Sequence, residues 1–210
     1  MTILAVVTEV KSRRQEYSAA TREALLDSAT GLFAERGYAR TSLEEIAAGA
    51  RVTKGALYGH FAGKQALFRA ALERLEESTT HDVLRAVEAA ATPWDGALAG
   101  LDAFLLACRD TTYGRVVMRE GPVALPYAEW CAAEELHSYK LVVGLVRMLI
   151  DAGEIDPLPL EAAARIVHAV VGAAAMLIAG AEGADQQRAF DDARAVVLRL
   201  AEGIRRPRAV

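Results

Sequence analysis

Residues 41–68 read TSLEEIAAGARVTKGALYGHFAGKQALF. Ser42 followed three residues later by Glu45 has capping-box spacing, so a helix starts there and continues through Ile46 and Ala47. Gly49-Ala50-Arg51-Val52 makes a tight connection, and a second, very short helix runs from Thr53 to about His60. Two short helices joined by such a turn form a helix-turn-helix arrangement. The second is polar at its start, so its first residues can enter a major groove. Leu57 and Phe61 point the other way, which locks it onto Ile46, Ala47 and Phe33.

Working outward, the pattern stays helical. Apolar positions recur at three- and four-residue steps, Ala is abundant and β-branched clusters are scarce. A first helix over Ser18–Arg36 puts Leu25, Leu26, Ala29, Leu32 and Phe33 on one face, and Gly37 follows as a C-terminal cap. Downstream, a helix begins near Lys64 and runs to about Ala90. Pro93 marks a break, and Trp94, Leu101, Leu105 and Cys108 stripe a fifth helix. Tyr113 to Pro126, with Gly121-Pro122 inside it, reads as irregular. Long helices over Tyr127–Ala152 and Leu160–Ala181 flank the turn Gly153–Pro159. A last helix, Asp185–Arg206, carries Phe190, Ala193, Val197, Leu200 and Ile204 as a narrow seam for another helix. The expected fold is all-α: a basic arm over 1–17, a three-helix head with the helix-turn-helix over 18–63, and a larger helical body over 64–210.

With 210 residues, 53% hydrophobic, the chain can bury a sizeable core, and a net charge of −4 argues against disorder. Two cysteines, Cys108 and Cys131, cannot form a disulfide scaffold or a Cys-rich zinc site, which fits a reducing compartment. The apolar stretch Ile3–Val7 precedes its basic cluster, the reverse of a secretory signal, and the expectation is a cytoplasmic protein with no membrane partner. The 16-residue run IVHAVVGAAAMLIAGA, 166–181, falls short of a bilayer span and reads as a buried helix. Charge is unevenly divided. Residues 11–70 hold ten basic and six acidic side chains, whereas residues 71–210 hold fourteen and twenty-one. A +4 segment beside a −7 remainder points to an anionic partner for the N-terminal part alone.

Within that part, Thr53 can cap its helix and touch a phosphate, Lys54 supplies charge, and Gly55 allows close backbone approach. Tyr58 and His60 can donate to phosphate oxygens, and Lys64 stands at a helix start where an anion is favoured. The stretch LFAERGYARTSLEEIA followed by VTKGALYGHFAGKQALF resembles, nearly position by position, the pattern of the tetracycline-repressor (TetR) family of transcriptional regulators. The resemblance covers about a quarter of the chain; beyond it, only length and helical character match. It implies a homodimer with one DNA-reading module per subunit and a body that binds a small effector. Carried over by position, DNA contacts fall on Arg40, Thr41, Ser42, Arg51, Thr53, Lys54, Gly55, Tyr58, His60 and Lys64. Two residues depart from the family pattern. Arg51 stands where Gly is usual, and a left-handed φ there would strain the turn by about 1 kcal/mol. Gly59 replaces a larger side chain and removes one base contact, so specificity is expected to lean on Lys54, Gly55, Ala56 and the arm, Lys11 to Arg14.

In the body, the resemblance implies an effector pocket among the fourth to eighth helices, to which Trp94, Leu101, Phe104, Cys108, Met118, Tyr127 and Trp130 contribute an apolar and aromatic wall. Glu134 and His137, on one stripe with Trp130, and His168 within the apolar run, are candidates to orient a hydrophobic or aromatic ligand. For each, simple core packing is the competing role. A helix apolar on every side must be covered all round. Val167, Val171, Ala174 and Ile178, with Phe190, Val197, Leu200 and Ile204, are accordingly assigned to a two-fold four-helix contact. No phosphate loop follows a strand, and neither the four histidines nor the two cysteines have metal-ligand spacing, so no cofactor, metal or catalysis is expected. The alternative is a dimeric helical small-molecule-binding protein without productive DNA recognition, for which Arg51 and Gly59 are the grounds.

Overall fold

The computed structural model describes residues 13–207, with backbone alone at Arg13, Arg14 and Glu134. Helices run in the order α1 (Arg13–Arg36), α2 (Leu43–Gly49), α3 (Lys54–His60), α4 (Lys64–Glu88), α5 (Pro93–Arg109) and the short α6 (Thr111–Tyr113). A π-helical segment, Gly114–Glu120, leads into α7 (Gly121–Ala124) and α8 (Tyr127–Glu134). A second π segment, Glu135–Tyr139, joins α8 to α9 (Lys140–Asp151), followed by α10 (Leu160–Gly180) and α11 (Asp185–Ile204). Among the described residues the only extended pairing is one antiparallel bridge, Ile155 to Arg205.

Local chemistry sets these boundaries. The Glu45 N–H donates to Ser42 Oγ at 3.2 Å while Glu45 Oε2 accepts from the Ser42 N–H at 2.9 Å, a complete capping box. Thr53 Oγ1 caps α3 through Ala56 N–H at 3.1 Å, and Thr92 Oγ1 caps α5 through Asp95 N–H at 3.1 Å, ahead of Pro93 in the first turn. Gly37 closes α1 at φ 81°, its N–H reaching Phe33 O at 2.9 Å.

Three expectations change. Helix α1 begins at Arg13, so residues 13–17 belong to it and not to an arm; Lys11 and the rest of the arm lie outside the described residues. The piece taken as irregular is helical as far as Ala124: the π segment Gly114–Glu120 leads into α7, and Pro122 stands in the first turn of α7, where its missing N–H costs little. The long helix after Tyr127 contains a π turn at Glu135–Tyr139.

Head and body share one core. Leu25, Leu26, Ala29 and Phe33 of α1 pack with Ile46, Leu57, Phe61 and Phe68 and are all nearly inaccessible. Phe33 and Tyr38 each meet Phe68 edge-on at 5.1 Å. The same cluster continues through Leu72, Leu105 and Val116 to Ile178 and Phe190. Helices α4 and α5 approach so closely that a Cβ at Gly100 would lie 2.8 Å from Val87.

Helix α10 has 21 residues, with Glu161 and Arg165 near its start, and is long and apolar enough by length and composition to cross a bilayer. Its inner face, Ala164, Ala174, Ala175, Ile178 and Ala179, is buried in this chain's own core. Ile166 (66% exposed), Met176 (48%) and Leu177 (55%) stay bare, as do Val196, Leu200 and Ile204 of α11. This corrects the expected contact: Ala174, Ile178, Phe190 and Val197 face inward, and Val167 and Val171 are half-buried against the core. Leu200 and Ile204 remain outward. Over 166–181 apolar side chains stand on every side of the helix, so apolar character alone does not tell the covered face from the bare one.

Candidate nucleic-acid interface and effector region

The start of α3 presents Thr53, Lys54 and Gly55 to solvent, and Tyr58 is half exposed on the following turn. Lys54 Nζ pairs with Glu44 of α2 and sits 6.0 Å over the Tyr58 ring. The hydrogen bond from Lys54, with its charge, holds the Glu44 carboxyl below its usual range, and Glu44 raises the Lys54 ammonium. Arg51 is exposed at φ 56°, the strained geometry that its place in the turn foretold. Arg40 is also exposed, its Nε donating to Arg36 O at 2.9 Å. His60 is half-buried, and Ser42 is engaged in its cap.

Two expected phosphate contacts point inward instead. Thr41 is buried, its Oγ1 donating to Gly37 O at 2.9 Å, where it fastens the turn after α1. Lys64 Nζ donates to Tyr38 O at 2.8 Å, Thr41 O at 2.9 Å and, more weakly, Ala39 O at 3.5 Å, and lies 4.3 Å over the Tyr38 ring. Its charge satisfies carbonyls of the α1–α2 connection, which leaves it no free hydrogen for an outside anion in this geometry.

Sequence reasoning missed the joint between head and body. Arg115, on the first π segment, donates through Nη1 to Ala34 O and Glu35 O, both at 3.0 Å, in the last turn of α1. Glu120 ends the same segment and accepts the Tyr38 N–H at Oε2, 3.0 Å. Its Oε1 lies 3.9 Å from Arg115 Nε. A Cβ on Gly37 would come within 2.4 Å of Glu120 Oε1, so the joint itself requires glycine there. Five residues apart, Arg115 and Glu120 would diverge by roughly 140° on an α-helix; the i→i+5 repeat of a π-helix stacks them. Arg74 of α4 adds a second link, with Nη1 2.7 Å from Asp27 and Nη2 donating to Thr30 Oγ1 at 3.1 Å on α1.

In the body, Leu101, Phe104, Cys108, Met118 and Trp130 belong to the continuous core that also holds Phe33 and Ile178. Phe104 meets Tyr113 edge-on at 6.4 Å. Burial, with the nearby carboxylate of Glu76, pushes the Cys108 thiol up, so it behaves as a small hydrophobe. Trp94 departs from this group: it lies in a separate cluster with Val146, Leu149 and Ile155, under the Arg205 guanidinium at 4.4 Å. Tyr127 is 82% exposed and lines nothing. His137 is half-buried, and the Glu134 side chain lies outside the described residues. His168 Nε2 is 3.0 Å from Ser138 Oγ; burial, then Arg165, lowers its pKa. Surface grooves of about 520 Å³ on the head and about 440 Å³ along α11 touch none of these residues.

A short cap-defined helix-turn-helix fused through a polar joint to an all-helical body defines a two-domain regulator. The description of bacterial regulatory proteins of the tetR family fits residues 25–71, and that of the tetracyclin repressor-like C-terminal domain fits residues 94–204. The chain belongs to the TetR family, whose members are non-enzymatic, DNA-binding regulators of transcription. It is 45% identical over 72 residues to the HTH-type transcriptional regulator TtgR of Pseudomonas putida, covering 34% of this chain and 33% of TtgR. The chain thus aligns with about a third of the length of such curated relatives. A TetR-family regulator from Pectobacterium atrosepticum superposes over 94% of this chain and 100% of its own, with 26% identity and a TM-score of 0.78. AibR, solved with isovaleryl coenzyme A and operator DNA, covers 84% of this chain and 97% of its own, with 21% identity and a TM-score of 0.63.

Proposed function

We propose that the chain is a cytoplasmic, homodimeric, ligand-responsive repressor that binds a palindromic operator and is released from it by a small hydrophobic effector. The observation that carries this reading is the Arg115–Glu120 grip on the end of α1. It ties the DNA-reading head to a segment whose intervening residues, Val116, Val117 and Met118, are buried in the body. An effector entering among Phe104, Cys108, Met118 and Trp130 displaces that segment, and the joint passes the displacement to α1 and hence to α3. Two α3 helices must stand about 34–36 Å apart, one duplex turn or a multiple, to read both half-sites. A ligand that favours another spacing by about 1–3 kcal/mol weakens binding roughly 5- to 150-fold. The bare face of Ile166, Met176, Leu177 and Val196 supports pairing of two copies. AibR is a precedent for one such fold holding both an acyl-coenzyme A and operator DNA.

A gel shift with the promoter DNA flanking the chain's own gene tests DNA recognition; sedimentation at micromolar concentration tests the dimer. Thermal-shift hits assayed for DNA release test the effector, and a ligand that binds tightly yet leaves the DNA complex intact contradicts release. The inward engagement of Thr41 and Lys64 favours the second reading, a helical small-molecule-binding protein without productive DNA recognition. The absence of a shifted band at low salt selects it.

A further inference from the structure

The seven-residue α3 carries one permanently charged side chain, Lys54. Its ammonium is held by Glu44, from the first turn of α2, across the helix-turn-helix connection. The neighbouring acid is committed elsewhere: Glu45 Oε2 serves the Ser42 cap and Oε1 binds Arg36 at 2.8 Å. Lys64, at the start of α4, is taken up by carbonyl oxygens, whereas Arg51, in the turn before α3, is exposed. On the recognition helix itself Lys54 is the one permanent charge, and it is held by the Glu44 carboxylate.

We propose that Glu44 competes intramolecularly with DNA phosphate for Lys54 and so sets the affinity of the recognition helix for duplex DNA. A carboxylate and a phosphate present Lys54 with the same anionic oxygens. When a duplex arrives, either Lys54 leaves Glu44, or the pair persists and the phosphate gains no counter-charge. In both cases the phosphate gains less from Lys54 than it would without Glu44, and affinity is reduced. The two side chains are 51% and 61% exposed, so the pair contributes little to folding, and its main consequence falls on binding.

The proposal rests on the DNA-binding reading above, and its test separates the two. Full-length wild type, Glu44→Gln, Lys54→Gln and the double variant are titrated by fluorescence anisotropy. The probes are a labelled 30-base-pair duplex of arbitrary sequence and a duplex from the flanking promoter, at several salt concentrations. Thermal melts establish that each variant is folded. Glu44→Gln is expected to bind both duplexes roughly two- to fivefold more tightly at low salt. Its log–log salt slope should steepen by about one, the signature of one more phosphate contact. In the Lys54→Gln background the same change should have little effect. Binding by Glu44→Gln equal to or weaker than wild type, or a gain that persists in full without Lys54, overturns the competition. Wild-type protein that binds neither duplex removes the DNA-binding reading, and this proposal with it.

Discussion

Helix α3 places two glycines, Gly55 and Gly59, within seven residues, although glycine is among the poorest helix formers. Neither has a positive φ. A Cβ at Gly55 would meet only Thr53 Oγ1, at 3.8 Å, and one at Gly59 nothing within 4 Å. The free protein thus gives no steric reason for either glycine, and alanine should stabilise the helix by about 0.5–1 kcal/mol at each site. The double variant should gain about 1–2 kcal/mol, which for a chain of this size raises Tm by roughly 2–8 °C. On the proposed reading, the reason for Gly55 lies outside the chain, where the helix backbone approaches the duplex. A methyl group there should hold the helix off and weaken promoter binding about tenfold, equivalent to about 1.4 kcal/mol. Melts followed by circular dichroism and anisotropy titrations on the same preparations check both signs. A Gly55→Ala/Gly59→Ala protein that melts higher yet binds as wild type refutes the close-approach argument. One that melts lower refutes the reading of open space around α3.

Gly37→Ala should destabilise by about 2 kcal/mol or more, because an L side chain at a positive φ is strained and its Cβ displaces Glu120; urea unfolding measures it, with Gly31→Ala, which meets nothing, as the neutral-to-stabilising control. Arg115→Ala should cost about 1–2 kcal/mol and raise amide exchange over residues 33–41, since two carbonyls of the last turn of α1 lose their donor; unchanged exchange there would show that the grip is not structural. Leu177→Glu, on the bare face of α10, should leave the fold intact and yield monomer in sedimentation, whereas an unchanged dimer would place the contact elsewhere. His168 has a folded-state pKa below its unfolded value of 6.5, so below that pH the unfolded state binds more protons and stability falls. His168→Asn should therefore flatten the acid side of the stability profile, and an unaltered slope in urea titrations would contradict the shift.

What could be read from sequence was local. Ser42 with Glu45, Thr53 with Ala56 and Gly37 after Arg36 act within four residues, so spacing alone reveals them. Exposure was legible where it follows from position on a short helix, as with Lys54, Gly55 and Tyr58. It was misread where carbonyl oxygens of a packed turn outcompete solvent, as at Thr41 and Lys64. The aromatic candidates divided for a similar reason: Trp94 and Phe104 share α5 but face different clusters, a matter of which helices pack on either end.

By itself, the sequence determined an all-helical chain, a cap-defined helix-turn-helix, and a charge split that points to an anionic partner for the N-terminal part. These follow from nearest-neighbour chemistry and composition, which need no knowledge of the remaining chain. Tertiary structure alone decided the face of α10 left bare, because over 166–181 apolar side chains stand on every side and which of them is covered depends on the helices that pack there. It also decided the joint: Arg115 and Glu120 align only because the segment between them winds as a π-helix, and the carbonyls and N–H they grip lie some eighty residues earlier in the chain.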